Sequence, residues 1–346
     1  MSTLPVTVLT GFLGSGKTTL LNHLLAQPGL ADTAVLINEF GEIGIDHLLV
    51  RKLDDDVVVL QSGCICCTVR GDLVDALRDL FLKRVKGEVP EFDRVVIETT
   101  GLADPAPIIH TLMTDPLVAS RYRLDGIVAT IDAVVGAATL DRQPEAVKQA
   151  AMADRLVLTK ADIADPTAVE MLRARLAELN PGAPILPAAM GAVDADCLLG
   201  AGLFNGRAKI PAVEDWLRAE AVAAAQAGHR HHHHDVNRHD AHVRAFVFIR
   251  EAPVSWSALV FALELLASSR GDNLLRVKGI VNARESERPL AIHGVQHIFH
   301  PPAELPDWPD DDRRTRIVFI TRDLAPAAVL DLLGGILAEG DVAFSG

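Results

Sequence analysis

The stretch PVTVLTGFLGSGKTT, residues 5–19, decides the fold of this chain. Residues 5–10 are an apolar, β-branched run of the kind that forms a buried strand. The part that follows fits the pattern G-x-x-x-x-G-K-[ST], and apolar residues then recur at helical spacing from Leu20 to Leu25. A strand, a glycine-rich loop and a helix in this order are the context that a phosphate-binding loop requires. We therefore predict that this segment binds the phosphates of a nucleotide.

Each part of this loop has an expected role. The glycines let backbone N–H groups turn toward phosphate oxygens, and the helix N-terminus adds a favourable dipole. Lys17 is expected to contact the β- and γ-phosphates, and the Thr18 hydroxyl is expected to hold Mg²⁺. The residues of the loop predicted to bind nucleotide are Gly11, Gly14, Ser15, Gly16, Lys17, Thr18 and Thr19.

Further apolar, β-branched runs follow the loop, and helical patterns separate several of them. The runs are TAVLIN (33–38), VVVL (57–60), DRVVIE (93–98), LDGIVATI (124–131) and DRLVLT (154–159). Continuous apolar strands that alternate with helices are typical of a mostly parallel sheet with helices on both faces. The predicted fold class is therefore α/β, with a P-loop NTPase domain.

The pattern of the chain changes near residue 190, which divides the sequence into three parts. Residues 1–190 are predicted to form the nucleotide-binding domain. Residues 191–242 contain an alanine-rich helical stretch at 212–227 and then a polar segment that we interpret as a flexible linker. A new set of apolar strands and helices begins at Val243, and it predicts a small α+β domain over residues 243–346.

The segment TKAD, residues 159–162, ends one of the predicted strands and bears on the choice of base. A carboxylate at Asp162 can accept hydrogen bonds from the N1–H and N2–H₂ edge of guanine, whereas adenine has no matching pair of donors. The stem of Lys160 is expected to lie over the base. Thr159 stands where the common GTPase form of this motif has Asn. The alternative role for Asp162 is to cap the next helix.

Glu98 ends the predicted strand DRVVIE, and Gly101 follows three residues later, in the sequence ETTG. A carboxylate at the C-terminal end of a strand opposite the phosphate loop can hold or orient a water molecule on Mg²⁺. Gly101 can donate its N–H to the γ-phosphate because it has no side chain in the way. We therefore predict Lys17, Glu98 and Gly101 as the catalytic residues. Turnover is expected to be slow, because no arginine stands out as a candidate finger.

Three of the four cysteines lie together in the stretch SGCICCTVRGDL, residues 62–73. Cys64, Cys66 and Cys67 combine C-x-x-C spacing with a third thiol, and thiolates are soft ligands suited to Zn²⁺ or Cu⁺. Three thiolates leave one tetrahedral position open for another side chain or a recipient protein. A redox dithiol and three thiols that merely pack are the alternatives. We predict a site that exchanges its metal.

The segment NEFGEIGID, residues 38–46, precedes the thiols. Loops after the strands of such a sheet gather near the nucleotide, so this is where a switch that senses the γ-phosphate is expected. Glu39, Glu42 and Asp46 are candidate oxygen ligands for Mg²⁺ or for the thiol-bound metal, and solvated carboxylates are the alternative. We expect GTP to order this region and so to assemble the metal site.

A histidine-rich segment, HRHHHHDVNRHDAH, occupies residues 229–242. Neutral imidazoles bind Zn²⁺, Co²⁺ and Ni²⁺, so we interpret the segment as a collector of metal that feeds the thiols. The candidate ligands within it are His231, His232, His233 and His234. A polar linker without a metal role is the alternative. Among the scattered histidines, His110 is the one to test, because it follows ETTGLADP closely.

Composition and charge exclude several classes of function. The formal net charge of −13 argues against a nucleic-acid partner, which needs basic residues. No apolar run approaches the ~18 residues of a membrane span, and the first residues, MSTLPVTVLTG, lack the features of a signal peptide. Four cysteines, three of them clustered, do not look like a disulfide framework. In a reducing compartment such a cluster more often indicates metal or redox chemistry. We expect a cytoplasmic protein without a membrane or nucleic-acid partner.

Five segments together carry a family resemblance. In order, GFLGSGKTT, NEFGEIGID, GCICC, ETTGLADP and TKAD resemble the CobW-type metal-chaperone GTPases, relatives of the GTPases that help insert nickel into urease and hydrogenase. The resemblance covers residues 4–190 closely and the C-terminal region less specifically. It implies hydrolysis of GTP to GDP at the Mg²⁺-dependent loop site, coupled to delivery of a thiol-bound metal to a client protein. A nucleotide-dependent homodimer is a further expectation.

The resemblance leaves the metal and two rival functions open. Three thiolates beside an oxygen-rich switch favour Zn²⁺. Co²⁺ is the alternative because the family includes proteins associated with cobalamin synthesis, and Fe²⁺ is a third candidate. The rival functions are a P-loop kinase acting on a small molecule and a passive metal buffer. The kinase would prefer ATP, whereas the buffer would hold metal equally well with or without GTP.

Overall fold

The computed structural model describes residues 3–27, 30, 32–38, 58–62, 70–200 and 242–343. By its contacts the chain divides into two compact units. The first consists of Met1–Arg175 and Ala183–Asn205, and the second consists of Leu176–Gly182 and Gly206–Gly346.

The N-terminal half contains seven described strands and eight described helices. The strands are β1 (Leu4–Gly11), β2 (Thr33–Asn38), β3 (Val58–Ser62), β4 (Arg94–Glu98), β5 (Tyr122–Asp132), β6 (Arg155–Thr159) and β7 (Ile185–Ala188). The helices are α1 (Lys17–Leu25), α2 (Arg70–Lys86), α3 (Ala106–Thr114), α4 (Pro116–Ala119), α5 (Gly136–Arg142), α6 (Pro144–Met152), α7 (Pro166–Leu179) and α8 (Ala195–Leu198).

These seven strands form one sheet in the order β3-β2-β4-β1-β5-β6-β7, and all of their described pairings are parallel. β1 lies in the middle, with Val8 paired to Ile97 of β4 on one side and to Ile127 of β5 on the other. The connection after β1 leads to β2 on one side, and the connection after its neighbour β4 leads to β5 on the other, so the connections reverse direction between β1 and β4. Ligands of open parallel sheets bind at the carboxyl ends of the strands near such a reversal.

Burial of both faces explains why the strands are continuous apolar runs. Val6 and Val8 of β1 are fully buried, and Leu20, Leu21 and Leu24 of α1 pack in the core that contains Leu9 and Val35. A strand covered by helices on both faces cannot alternate apolar and polar residues. The prediction of an α/β P-loop fold is confirmed by this sheet.

The second half is a smaller α+β unit. Its strands are β8 (Val243–Arg250), β9 (Leu274–Val281), β10 (Leu290–Val295), β11 (Ile298–Phe299), β12 (Ala303–Glu304) and β13 (Thr315–Arg322), and its described helices are α9 (Trp256–Arg270) and α10 (Pro326–Ala343). The sheet is antiparallel in the order β11-β10-β9-β13-β8, and β12 pairs with β10. Leu263 of α9 and Leu333 of α10 share a core with Val277 and Phe319 of the sheet. The prediction of a small α+β domain is confirmed.

Some element bounds differ from the predictions. TAVLIN is β2 without any shift, whereas β5 begins two residues earlier than the predicted run, at Tyr122. β7 was not predicted, because ILPA is short, contains Pro187 and lies at the edge of the sheet. The helical stretch predicted at 212–227 lies outside the described residues. Among the described residues, no helix combines the length and the apolar character that crossing a bilayer demands.

Candidate nucleotide site

The glycine-rich loop joins β1 to α1 at the end of the sheet where the carboxyl ends of the strands lie. Gly11 has φ +140°, and a Cβ atom added to it would lie 2.2 Å from Thr130 Oγ1 and 2.7 Å from Ser15 Oγ. Only glycine fits this conformation and this space. The loop therefore packs against the end of β5, where Ser15 Oγ lies 2.6 Å from Thr130 Oγ1.

Lys17 is the first residue of α1, and its side chain lies back against the loop. Its Nζ donates to the main-chain oxygens of Gly11 (2.9 Å) and Phe12 (3.3 Å). The ammonium group is thus held beside the loop by main-chain carbonyl groups. This is the arrangement expected of a lysine that contacts the phosphates of a nucleotide cradled by the loop.

Thr18 and Glu98 meet beside this loop. Thr18 Oγ1 donates to Glu98 Oε1 over 2.9 Å, and Glu98 is only 5% exposed at the end of β4. The pairing of β1 with β4, in which Leu9 is opposite Glu98, places the carboxylate there. A hydroxyl and a carboxylate oxygen are hard ligands of the kind that Mg²⁺ prefers, so this pair fits that ion.

Gly101 packs against the phosphate loop from the β4 side. A Cβ atom added to it would lie 2.5 Å from Leu13 N and 2.7 Å from Leu13 Cα. The chain between β4 and Gly101 is hydrogen-bonded to β1. Thr99 N donates to Leu9 O (2.9 Å), and Thr99 Oγ1 donates to Thr10 Oγ1 (3.0 Å). The structure therefore places Gly101 in contact with the loop that is expected to hold the phosphates.

Thr159 has a structural role that explains its presence. Its buried Oγ1 donates to Ser15 O over 2.7 Å and lies 3.2 Å from Ile131 O. Gly16 packs directly on this side chain, since an added Cβ would lie 3.3 Å from Thr159 Cγ2. Thr159, the first residue of TKAD, thus holds the phosphate loop in place through contacts with Ser15 and Gly16.

Lys160 joins the loop to a carboxylate that the sequence analysis did not identify. Its Nζ donates to Gly14 O (2.9 Å) and to Asp132 Oδ2 (2.5 Å). Asp132 ends β5 and is 7% exposed, and its Oδ1 accepts from Val134 N (2.7 Å) and Val135 N (3.2 Å). The reasoning applied to Glu98, a carboxylate at a strand end, would have found Asp132 as well.

Asp162 is exposed in the loop between β6 and α7. The alternative role considered for it, a cap on the next helix, is wrong, because Ala168 N donates to Asp165 Oδ1 (2.9 Å) at the start of α7. Asp165 supplies that cap, and Asp162 stays available for the predicted recognition of guanine.

Gln149 on α6 is a second residue that the sequence analysis missed. It is 1% exposed, and its Nε2 donates to Gly101 O (3.2 Å) and Ala103 O (2.9 Å). No local sequence signal pointed to it, because a glutamine within a helix carries no motif.

Several predicted metal ligands cannot be placed. Cys64, Cys66, Cys67, Glu39, Glu42, Asp46 and His231 to His234 lie outside the described residues. Within the described ranges, no group of three or more His, Cys, Asp or Glu side chains could hold a metal ion. His110 is on α3, and its Nδ1 lies 3.3 Å from Thr114 Oγ1.

A parallel sheet with a glycine-rich loop, lysine and threonine between β1 and α1 defines a P-loop nucleotide-binding protein. Residues 5–187 match the family described as CobW/HypB/UreG, nucleotide-binding domain. Residues 243–337 match the family described as Cobalamin synthesis protein cobW C-terminal domain. The chain belongs to the CobW/HypB/UreG family.

Relatives match over almost the whole chain. The zinc chaperone YjiA of Escherichia coli is 35% identical over 336 residues, which cover 97% of this chain and 99% of that protein. The zinc chaperone CobW of Pseudomonas aeruginosa is 30% identical, covering 98% of this chain and 92% of that protein. The crystal structure of Zn(II)-bound YjiA GTPase from E. coli is similar with a TM-score of 0.71 at 30% identity, covering 97% and 99% of the two chains.

Proposed function

We propose that this protein hydrolyses GTP and delivers zinc to a client protein. Membership of the CobW/HypB/UreG family supports the proposal, and so do the names of two relatives that match almost the whole chain, both zinc chaperones. The observation that carries it is the 2.9 Å contact between Thr18 Oγ1 and Glu98 Oε1 beside the phosphate loop. This contact joins the loop to the strand end where the γ-phosphate is expected to be sensed.

The residues around the loop have distinct roles in the proposed reaction. The loop N–H groups and the Lys17 ammonium bind the β- and γ-phosphates, and the Gly101 N–H donates to the γ-phosphate. Thr18 and Glu98 hold Mg²⁺, which when bound neutralises charge on the β- and γ-phosphate oxygens. The Asp162 carboxylate accepts from guanine, and the Lys160 stem lies against the base.

Zinc is the cargo in this proposal. Cys64, Cys66 and Cys67 supply three thiolates, and a fourth position is open to Glu42 or to a group of the client. GTP draws the thiols into one site, and loss of the γ-phosphate loosens it. The domain at residues 243–346 recognises the client.

The first experiment tests the GTPase assignment. Purified protein is expected to release phosphate from GTP and not from ATP, and Lys17→Ala and Glu98→Gln are expected to abolish the activity. Lys86→Ala is the control, because Lys86 is an exposed lysine on α2. A preference for ATP, or phosphate transfer to a small molecule, would favour the kinase instead.

The second experiment tests the cargo. Competition titrations of Zn²⁺ and Co²⁺ are run with GDP and with a non-hydrolysable GTP analogue. We expect zinc to bind more tightly with the analogue, and we expect the difference to vanish when Cys64, Cys66 and Cys67 are all replaced by serine. The function would instead be that of a passive metal buffer if metal affinity is equal with both nucleotides and if GTPase activity is unchanged by replacement of the three thiols.

A further inference from the structure

The segment after β4, residues 99–105, is held by contacts with two other parts of the domain. Gly101 touches the phosphate loop, so closely that an added Cβ would lie 2.5 Å from Leu13 N. Helix α6 binds the segment through Gln149, which donates to Gly101 O and Ala103 O. Gly101 is therefore held by both the phosphate loop and one buried glutamine.

The donor role of Gln149 is fixed by its surroundings. Its Nε2 faces two carbonyl oxygens, at 3.2 Å and 2.9 Å, so a reversed amide would set three oxygens against one another. Its Oε1 is buried and accepts no hydrogen bond within the described part of the chain. An unpaired buried acceptor costs free energy that an apolar side chain of the same length would avoid. The two donated bonds are what a glutamine, rather than a methionine, contributes here.

The preceding residue of α6 reinforces the same attachment. Lys148 Nζ pairs with Asp104 Oδ2 at 2.5 Å, and the Lys148 side chain is only 14% exposed. Asp104 Oδ1 in turn accepts from Ala106 N (3.0 Å) at the start of α3. Two consecutive residues of one helix therefore hold the segment at Gly101, Ala103 and Asp104.

We propose that Gln149 is a positioning residue for GTP, which fixes the Gly101 main chain so that its N–H meets the γ-phosphate. This inference rests on the proposed GTPase function. With the Gly101 carbonyl held by Gln149 and its Cα held against Leu13, little freedom remains for the direction of the N–H. GDP has no γ-phosphate, so its binding does not use this contact.

The test compares the same substitution at two glutamines, one inside α6 and one at the N-cap position just before it. Gln149→Met keeps the length of the side chain and removes the donor, and Gln143→Met makes the same change at the start of α6, where Gln143 makes no side-chain cap. For Gln149→Met we expect kcat and the affinity for a non-hydrolysable GTP analogue to fall about 10-fold to 100-fold. The affinity for GDP is expected to stay within about twofold, as a change confined to the γ-phosphate requires. Gln143→Met should match the wild type in every measurement.

The possible outcomes distinguish failure of the positioning role of Gln149 from failure of the proposed GTPase function. Equal losses of GDP and analogue affinity in Gln149→Met, or no difference from Gln143→Met, overturn the positioning role. If Gln149→Met does not fold, Lys148→Met decides, with an expected change in the same direction of about threefold, on the scale of a partly exposed ion pair. An unchanged ratio of GTP-analogue to GDP affinity in that variant overturns the role. If the wild-type protein binds no GTP, the proposed function fails and this inference fails with it.

Discussion

Gly101 is glycine because of a contact and not because of its backbone conformation. A Cβ at this position would lie 2.5 Å from Leu13 N and 2.7 Å from Leu13 Cα, so the phosphate loop or the segment after β4 must move. We predict that Gly101→Ala lowers the GTP hydrolysis rate by at least ~10-fold while GDP still binds, because the displaced main chain loses its γ-phosphate contact. Steady-state phosphate release and GDP titration measure the two effects.

Gly87→Ala separates this contact from backbone strain. Gly87 has φ +68° and open space around its Cα, so alanine there is strained without a clash. It should lower stability by about 1 kcal/mol and leave hydrolysis unchanged. Normal hydrolysis by Gly101→Ala would contradict the role assigned to Gly101.

Asp132 is expected to act on the base end of the site. It pairs with Lys160 at 2.5 Å while its other oxygen accepts from two backbone N–H groups. Asp132→Asn removes the charge that orients the Lys160 ammonium, so GDP and GTP analogue should both bind roughly tenfold more weakly. Fluorescence titration with both nucleotides measures this. Asp165→Asn, which keeps a good cap on α7, is the control, and an effect on GTP alone would contradict the assignment.

The residues found and missed in the sequence differ in how far away their partners lie. Lys17 and Thr18 belong to a local pattern whose chemistry is readable from spacing alone. Lys160 contacts Asp132 across 28 positions, and Gln149 contacts Gly101 across 48. These partners meet only because the fold places the end of β5 beside the end of β6, and α6 beside the segment after β4. No local pattern encodes the contact of Gln149, so that residue could not be found in the sequence, whereas Asp132 carried one local signal, its place at the end of a strand.

At the scale of elements, α2 is fastened to β5 by Tyr122, the single tyrosine of the chain. Its hydroxyl donates to Leu77 O (2.9 Å), and its ring meets Phe81 edge-on at 6.4 Å. Burial raises the pKa of Tyr122 well above its ordinary value, and the nearby positive charge of Arg84 lowers it by a smaller amount. The folded protein therefore keeps this phenol protonated where an unfolded chain would lose the proton.

A stability change at alkaline pH follows from this shift. An unfolded tyrosine ionises near pH 10, so above about pH 10 the unfolded state binds fewer protons than the folded state and stability falls as pH rises. We predict that tyrosinate absorbance appears only together with loss of the helical signal. Tyr122→Phe should cost about 1 kcal/mol at pH 7 for the lost hydrogen bond and should remove this part of the alkaline decline. Ionisation near pH 10 in protein that remains folded would contradict the assignment.

Elements were predictable from the sequence where burial alone decided them. The runs of β1, β2 and β4 are apolar because both of their faces are covered, and the predictions matched them closely. β7 escaped because an edge strand with Pro187 at its exposed third position needs little apolar sequence.

At the scale of the molecule, the parallel sheet places the carboxyl ends of four neighbouring strands side by side. Asn38 at the end of β2 is paired with Ser62 at the end of β3, and Glu98 of β4 is paired with both Ile37 and Leu9. The chain leaves β3 at Ser62, two residues before Cys64, at the same end of the sheet where the phosphate loop leaves β1. This topology is the physical basis for expecting the nucleotide to influence the metal.

Linkage makes that expectation quantitative. If a GTP analogue raises the affinity for zinc by some factor, zinc must raise the affinity for the analogue by the same factor. A swing in zinc occupancy from 1:99 to 99:1 needs a factor of about 10⁴. We therefore predict that saturating zinc tightens binding of the analogue relative to GDP by the factor found in the zinc titrations. Nucleotide titrations with and without zinc measure it.

Two cysteine variants decide where this coupling resides. Serine at Cys64, Cys66 and Cys67 together should abolish the shift in nucleotide affinity. Cys197→Ser should preserve it, because Cys197 is an exposed free cysteine on α8 that belongs to no predicted metal site. If the analogue and zinc leave each other's affinity unchanged, the two sites are not coupled at equilibrium. A rate of GTP hydrolysis that nevertheless changes with zinc would then show that the switch acts on turnover instead of on metal binding.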